Sequence, residues 1–225
     1  MSSLIQQLTS LNSNSPINLG EANSKSWVKL DLSQDNPQLK LLDVSSSQLL
    51  SEYINNHIKE AQAKVAWGGY LEQRNIYQRS TYFNSTAEDE RNIHLGIDIW
   101  AAAGTEVFAP VDGKIHSFNN NTNYGDYGPT IIIAHEVEGF KFHTLYGHLS
   151  LSSIKNIKQG DIIKGGSKVG NLGASDVNGD YPPHLHFQIV IDIQDFLGDY
   201  PGVCSQKDLE FYKKNCPDPN ILLAI

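Results

Sequence analysis

The run Pro182-Pro183-His184-Leu185-His186-Phe187 continues as Gln188-Ile189-Val190-Ile191, and its β-branched and aromatic content after a proline pair predicts a strand. Side chains two apart on a strand share a face. His184 and His186 are therefore expected to point together, with Leu185, Phe187 and Ile189 turned the other way into a core. Two imidazoles aimed at one spot suit a metal or a proton-transfer site. Their partners must come from elsewhere in the chain.

The texture around that run is β-rich. From Asn92 onward, short apolar runs alternate with Gly, Asp and Asn turns. One hairpin is predicted from 107–111 and 114–118 across Asp112-Gly113, and a second from 130–135 and 140–146 across Glu138-Gly139. Two further short strands fall within 161–166 and 168–173. The fold class implied is mainly β, an antiparallel core folded over itself. A chain of 225 residues can bury one core of this kind with a small appendage.

Upstream the pattern is different. Leu4, Leu8 and Leu11 have helical spacing in a polar start, and 27–32 alternate as one strand. A helix is expected over 46–66, capped by Ser46 or Ser47, with Leu49, Leu50, Tyr53, Ile54, His57 and Ile58 as its apolar stripe and Gly68-Gly69 as its end. His57 reads as a packed helix residue. Arg74 and Arg79 are expected in surface ion pairs with Glu72, Glu88 or Asp89; a clamp on a substrate carboxylate or phosphate is the sharper alternative. The division is 1–90 as a helical and irregular extension, a lid or packing layer; 91–195 as the β-core; and 196–225 as a tail packing on that core.

Charge narrows the partners. The net charge of −8 and the absence of a Lys/Arg cluster argue against a nucleic-acid groove. No window approaches the ~18 apolar residues of a membrane span, and residues 1–20 lack a basic segment followed by an apolar one. The expectation is a cytoplasmic protein. Cys204 and Cys216, without CxxC spacing, read as two thiols in a reduced compartment.

His94-Leu95-Gly96-Ile97-Asp98 supplies the second half of the site. Gly96 and Ile97 disfavour a helix here, and a straight strand would hold His94 and Asp98 ~13 Å apart. A bend at Gly96 is therefore expected to swing Asp98 back beside His94. With one imidazole from His184 or His186 the count becomes two His and one Asp. Three protein ligands with one open position is the pattern of a catalytic zinc.

Three ordered motifs now stand together: His94-x-x-x-Asp98, Leu145-Tyr146-Gly147-His148-Leu149-Ser150 and Pro183-His184-Leu185-His186-Phe187, with Gly160-Asp161-x-x-Lys164-Gly165 before Gly170-x-x-Gly173. Over roughly residues 92–192 the chain resembles the M23 (LytM/lysostaphin-type) zinc metallopeptidases. The resemblance implies a two-layer β-sheet core of barrel-sandwich type, Zn2+ as cofactor, His94, Asp98 and His186 as its ligands, and His148 and His184 as catalytic imidazoles. It implies hydrolysis of an amide bond in a short or peptidoglycan-derived peptide. The segments 91–98, 125–130, 198–203 and 216–220 look similar to the M23-like module found beside class III aminotransferases, which implies a functional link to such enzymes. Two alternatives stand: an intracellular zinc-dependent hydrolase or module acting on a small amino compound, and a non-catalytic binding domain of the same fold. Fold alone does not choose a substrate.

The remaining histidines read blandly. His143 lies five residues before His148, so strand parity would turn it away from the groove. His116 and His135 sit near turns and are expected at the surface. The polar loop 119–128, with Tyr124, Asp126 and Tyr127, is either a wall of the groove or an ordinary loop.

Overall fold

The computed structural model describes residues 6, 8–9, 11, 13–17, 26–79, 90–223 and 225. Its strands among these are β1 (Trp27–Lys29), β2 (Val65–Gly68), β3 (Ile93–His94), β4 (Ile97–Trp100), β5 (Glu106–Phe108), β6 (Gly113–Asn121), β7 (Gly128–Val137), β8 (Phe140–Gly147), β9 (Ile162–Ile163), β10 (Lys168–Asn171), β11 (His184–Val190) and β12 (Val203–Cys204). Eight of them form one sheet in the order β1-β2-β4-β11-β8-β7-β6-β9. Every neighbouring pair in it is antiparallel except β1 and β2. β5 pairs with β10 and β3 with β12 in two small sheets. The fold is mainly β.

β11 is the predicted His-x-His strand, and all seven of its residues are buried. It lies between β4 and β8, so its backbone groups are paired on both sides. Leu185, Phe187 and Ile189 join Ile97, Ile99, Ile131, Ile133, Phe142 and Tyr146 in the main core. Each such side chain taken from water contributes ~1.5–3 kcal/mol. The opposite face of β11 is left for His184, His186 and Gln188.

The hairpin β7–β8 forms as the sequence predicts. Glu138 and Gly139 both have positive φ, 50° and 83°, as a two-residue turn of type I′ requires. The hairpin expected across Asp112-Gly113 does not form. β5 pairs with β10, and Gly166 N–H and Ala109 N–H bond across to Ala109 and Ser167 carbonyls. Pro110 offers no ladder donor, and the Asp112 carboxylate takes Lys164 Nζ and Gly165 N–H at 2.7 and 2.8 Å. The chain therefore closes onto 164–171, and β6 starts afresh at Gly113 against β7 and β9.

The upstream helix is α1 (Ser47–Glu60), with Ser46 as N-cap accepting from Leu49 N–H. Leu50 and Ile54 are buried, and His57 Nε2–H donates to the Lys29 carbonyl at 2.9 Å. The helix stops at Glu60, well short of Gly68. The reason is tertiary: Val65, Ala66 and Trp67 pair with β1 on one side, and Ala66–Gly68 with β4 on the other. Pairing on two sides outweighs the helical propensity of 61–66. At the start of the chain, Leu4 lies outside the described residues, while Leu8 is buried in the main core and Leu11 packs against it. Cys204 and Cys216 are free thiols, both buried. Burial pushes each up to about 12, which keeps it protonated and unreactive at neutral pH. Two short helices, α2 (Leu209–Asn215) and α3 (Asn220–Leu223), end the chain.

Candidate metal centre

β3 and β4 are separated only by Leu95-Gly96, and that break brings Asp98 Oδ1 to 3.2 Å from His94 Nε2. A side chain at Gly96 would meet the His186 ring at 2.6 Å and the Phe187 carbonyl at 2.8 Å. Glycine is needed there because β4 lies flush against β11. The register sets His186 directly opposite Asp98. His186 Nδ1 lies 3.2 Å from Asp98 Oδ1 and 2.8 Å from His94 Nε2.

These three atoms make a triangle with edges of 2.8, 3.2 and 3.2 Å. Tetrahedral zinc with bonds of ~2.0–2.1 Å spaces its ligand atoms ~3.3 Å apart. Two imidazole nitrogens and a carboxylate oxygen, all buried, are the donor set of a three-ligand catalytic zinc site. The residues present fit the metal that the resemblance implies.

Each of these three side chains is held from behind. His94 Nδ1–H donates to the Gly69 carbonyl at 3.0 Å, which leaves Nε2 bare. His186 Nε2–H donates to Gln188 Oε1 at 2.9 Å, which leaves Nδ1 bare. Gln188 in turn donates to the Pro201 carbonyl and to Cys216 Sγ. Asp98 Oδ2 accepts from Arg74 Nη1 at 2.6 Å. Partners of this kind fix the tautomer and ring orientation of metal-binding histidines. Burial, the strongest influence, would raise the Asp98 carboxyl, but His94, Arg74 and His184 outweigh it and hold it well below its ordinary range. Burial lowers His94 to about 4, so its imidazole is neutral at physiological pH.

His148 and His184 complete the constellation. Their ring centroids are 4.2 Å apart, and both line the same pocket as His94, Asp98 and His186. His184 Nδ1–H donates to the Pro182 carbonyl at 2.7 Å and His148 Nδ1–H to the Asn178 carbonyl at 2.8 Å. In both rings Nε2 is left as the acceptor. Burial holds His148 well below the usual imidazole range and lowers His184 too. The five residues singled out in the sequence thus meet in one place.

The other expectations divide. His143 does not line the pocket, but strand parity is not the reason. β8 ends at Gly147 and His148 has φ of 60°, so alternation does not extend between them. His143 instead sits at the far end of β11, opposite Val190, beside His116. His135 is buried rather than superficial: it bonds to the Asp112 carbonyl and Thr144 Oγ1 and stacks on Phe142. Gly125, Asp126 and Tyr127 of the polar loop line the pocket, so the loop is a wall. Arg74, expected in a surface ion pair, is only 3% exposed; it meets Glu72 as anticipated and Asp98 as well. Gln188 was missed, although it shares a strand face with His184 and His186 and the same parity points to it.

The cavity over these residues measures about 240 Å³. Leu32, Leu50, Ile76, Tyr77 and Trp100 line its apolar side, and Asp126, Tyr127, Asp199 and Tyr200 line another. All of the first group except Trp100 come from upstream of residue 90.

The site thus combines a buried His/Asp/His cluster with two neutral imidazoles beside it. Residues 92–196 match the model of Peptidase family M23. The chain is similar to a protein of Haemophilus influenzae named "Uncharacterized metalloprotease", 32% identical over 102 residues, covering 44% of this chain and 19% of that protein. It is also similar to the L-Ala--D-Glu endopeptidase of Bacillus subtilis, 27% identical over 144 residues, 60% of this chain and 42% of that one. The chain therefore spans less than half the length of either relative. Among solved structures, the catalytic domain of lysostaphin from Staphylococcus simulans matches at 26% identity, covering 72% of this chain and 97% of that one, with a TM-score of 0.40.

Proposed function

We propose that the chain is a zinc-dependent amide hydrolase, a metallopeptidase acting on a short or peptidoglycan-derived peptide. The observation that carries this reading is the triangle of bare donor atoms on His94, Asp98 and His186, with His148 and His184 beside it. Zinc, when bound, would act as a Lewis acid and lower the pKa of a water towards ~7. The remaining work falls to the chain. His148 and His184 are neutral, and each offers Nε2 to the pocket, so one can take the proton of an attacking water. The imidazolium so formed can then hold the carbonyl oxygen as charge develops on it and return the proton from Nε2–H to the leaving amine, while the other Nε2 accepts from the water and orients it. Tautomer control by the Asn178 and Pro182 carbonyls keeps both nitrogens ready for that exchange. Burial of all five groups excludes bulk water and strengthens each electrostatic contact.

One observation favours the second reading, a compact amino compound as substrate. Leu32, Leu50, Ile76 and Tyr77 add an apolar wall from outside the M23 segment, which suits a small group or a chain end. A single experiment weighs both. Zinc-loaded protein is incubated with cross-linked muropeptides, linear muropeptides and simple amino-acid amides, with zinc-stripped protein as control. Zinc-dependent release of new amines from the muropeptides is the expected result. Release from the small amides alone would replace the peptide reading by the compact one, and no zinc-dependent release from any would overturn the hydrolase reading.

A further inference from the structure

We propose that Arg74 is a positioning residue of the metal centre, so that a segment outside the M23 match is built into that centre. This rests on the metal reading above. Arg74 lies 18 residues before the matched segment, which starts at residue 92. Its Nη1–H donates to Asp98 Oδ2 at 2.6 Å and its Nε–H to Glu72 Oε2 at 2.9 Å. Its Cζ sits 5.8 Å from the centre of the Trp100 ring. The third arm, Nη2, is buried without a hydrogen-bond partner and is seated against Gly69. A Cβ on Gly69 would fall 2.1 Å from Nη2 and 2.8 Å from His94 Nδ1, and φ there is 112°. Only glycine lets the guanidinium and the imidazole share that space.

The same stretch grips the first ligand as well. The Gly69 carbonyl takes His94 Nδ1–H, His94 N–H donates to the Glu72 carbonyl, and Arg74 N–H donates to the Asn92 carbonyl. Residues 69–74 therefore hold both ligands that β3 and β4 supply. Asp98 has two oxygens. Arg74 occupies Oδ2, and this leaves Oδ1 alone at 3.2 Å from both ligand nitrogens. The guanidinium thus selects one carboxylate oxygen and one rotamer for the metal. A lone cation this close would repel zinc, but Glu72 on the far side of the fork offsets its charge. What remains is orientation.

The test is equilibrium zinc affinity, by competition with a chromophoric chelator, together with the absorption bands of the cobalt-substituted protein. Arg74→Met should bind zinc about 10–100-fold more weakly, the usual cost of losing an outer partner of a metal ligand. Arg74→Lys should fall between, since an ammonium cannot bridge two carboxylates as a planar fork does. Glu72→Gln should also weaken zinc binding by leaving the guanidinium charge uncompensated. The cobalt bands should shift in Arg74→Lys, which a packing role alone would not cause. Wild-type affinity and unchanged bands in Arg74→Lys and Glu72→Gln would overturn the proposal, even if Arg74→Met fails to fold. Wild-type protein that takes up no zinc would overturn the metal reading itself, a result readily told apart.

Discussion

His186→Ala should leave the protein folded and without zinc. The substitution deletes the Nδ1 atom that lies 2.8 Å from His94 Nε2 and 3.2 Å from Asp98 Oδ1. Two donors then remain, too few for a catalytic zinc site. The loss should exceed the ~10–100-fold that removing an outer partner costs, because a metal bond itself is gone. β11 should persist, since Leu185, Phe187 and Ile189 anchor it on the other face and it is paired on both sides. Metal analysis after dialysis should find close to one zinc per wild-type chain and close to none in the variant, with circular dichroism unchanged. A full equivalent retained by the variant would remove His186 from the ligand set.

His148→Ala should show the opposite pattern, with zinc kept and turnover lost. His148 is no part of that triangle; its ring lies tilted against that of His184, and its centroid is 6.4 Å from that of His186. Its Nδ1–H is committed to the Asn178 carbonyl, so its contribution is the proton-accepting Nε2. Loss of one general acid or base costs typically ~10²–10⁴-fold in rate. The expected outcome is a fall of that size in kcat on whichever amide the panel identifies, with zinc content equal to wild type. An unchanged rate would show that His148 takes no part in the chemistry. A loss of zinc instead would mean that it is a ligand.

Much of this centre was legible in the sequence because it is written in local rules. Parity on a strand placed His184 and His186 together, and the conflict between helix and strand at Gly96 required the bend that joins His94 to Asp98. The turn at Glu138-Gly139 followed from backbone sterics alone. What escaped depends on contacts between distant segments. Helix α1 ends early because 65–68 are claimed by two neighbouring strands, a fact no window around 46–66 contains. The hairpin at Asp112-Gly113 lost to a pairing with residues more than fifty positions away. Arg74 looked like any arginine near a glutamate until Asp98 was brought beside it. The Gly69 carbonyl that orients His94 is a backbone atom, which side-chain patterns do not report.

The most direct test of the central claim is anomalous diffraction at the zinc edge from crystals of the zinc-loaded protein. One peak is predicted, bounded by His94 Nε2, Asp98 Oδ1 and His186 Nδ1, with the imidazoles of His148 and His184 beside it and not bonded to it. A peak bonded to His148 or His184 in place of one of those three, or zinc found only at surface residues, would contradict the account.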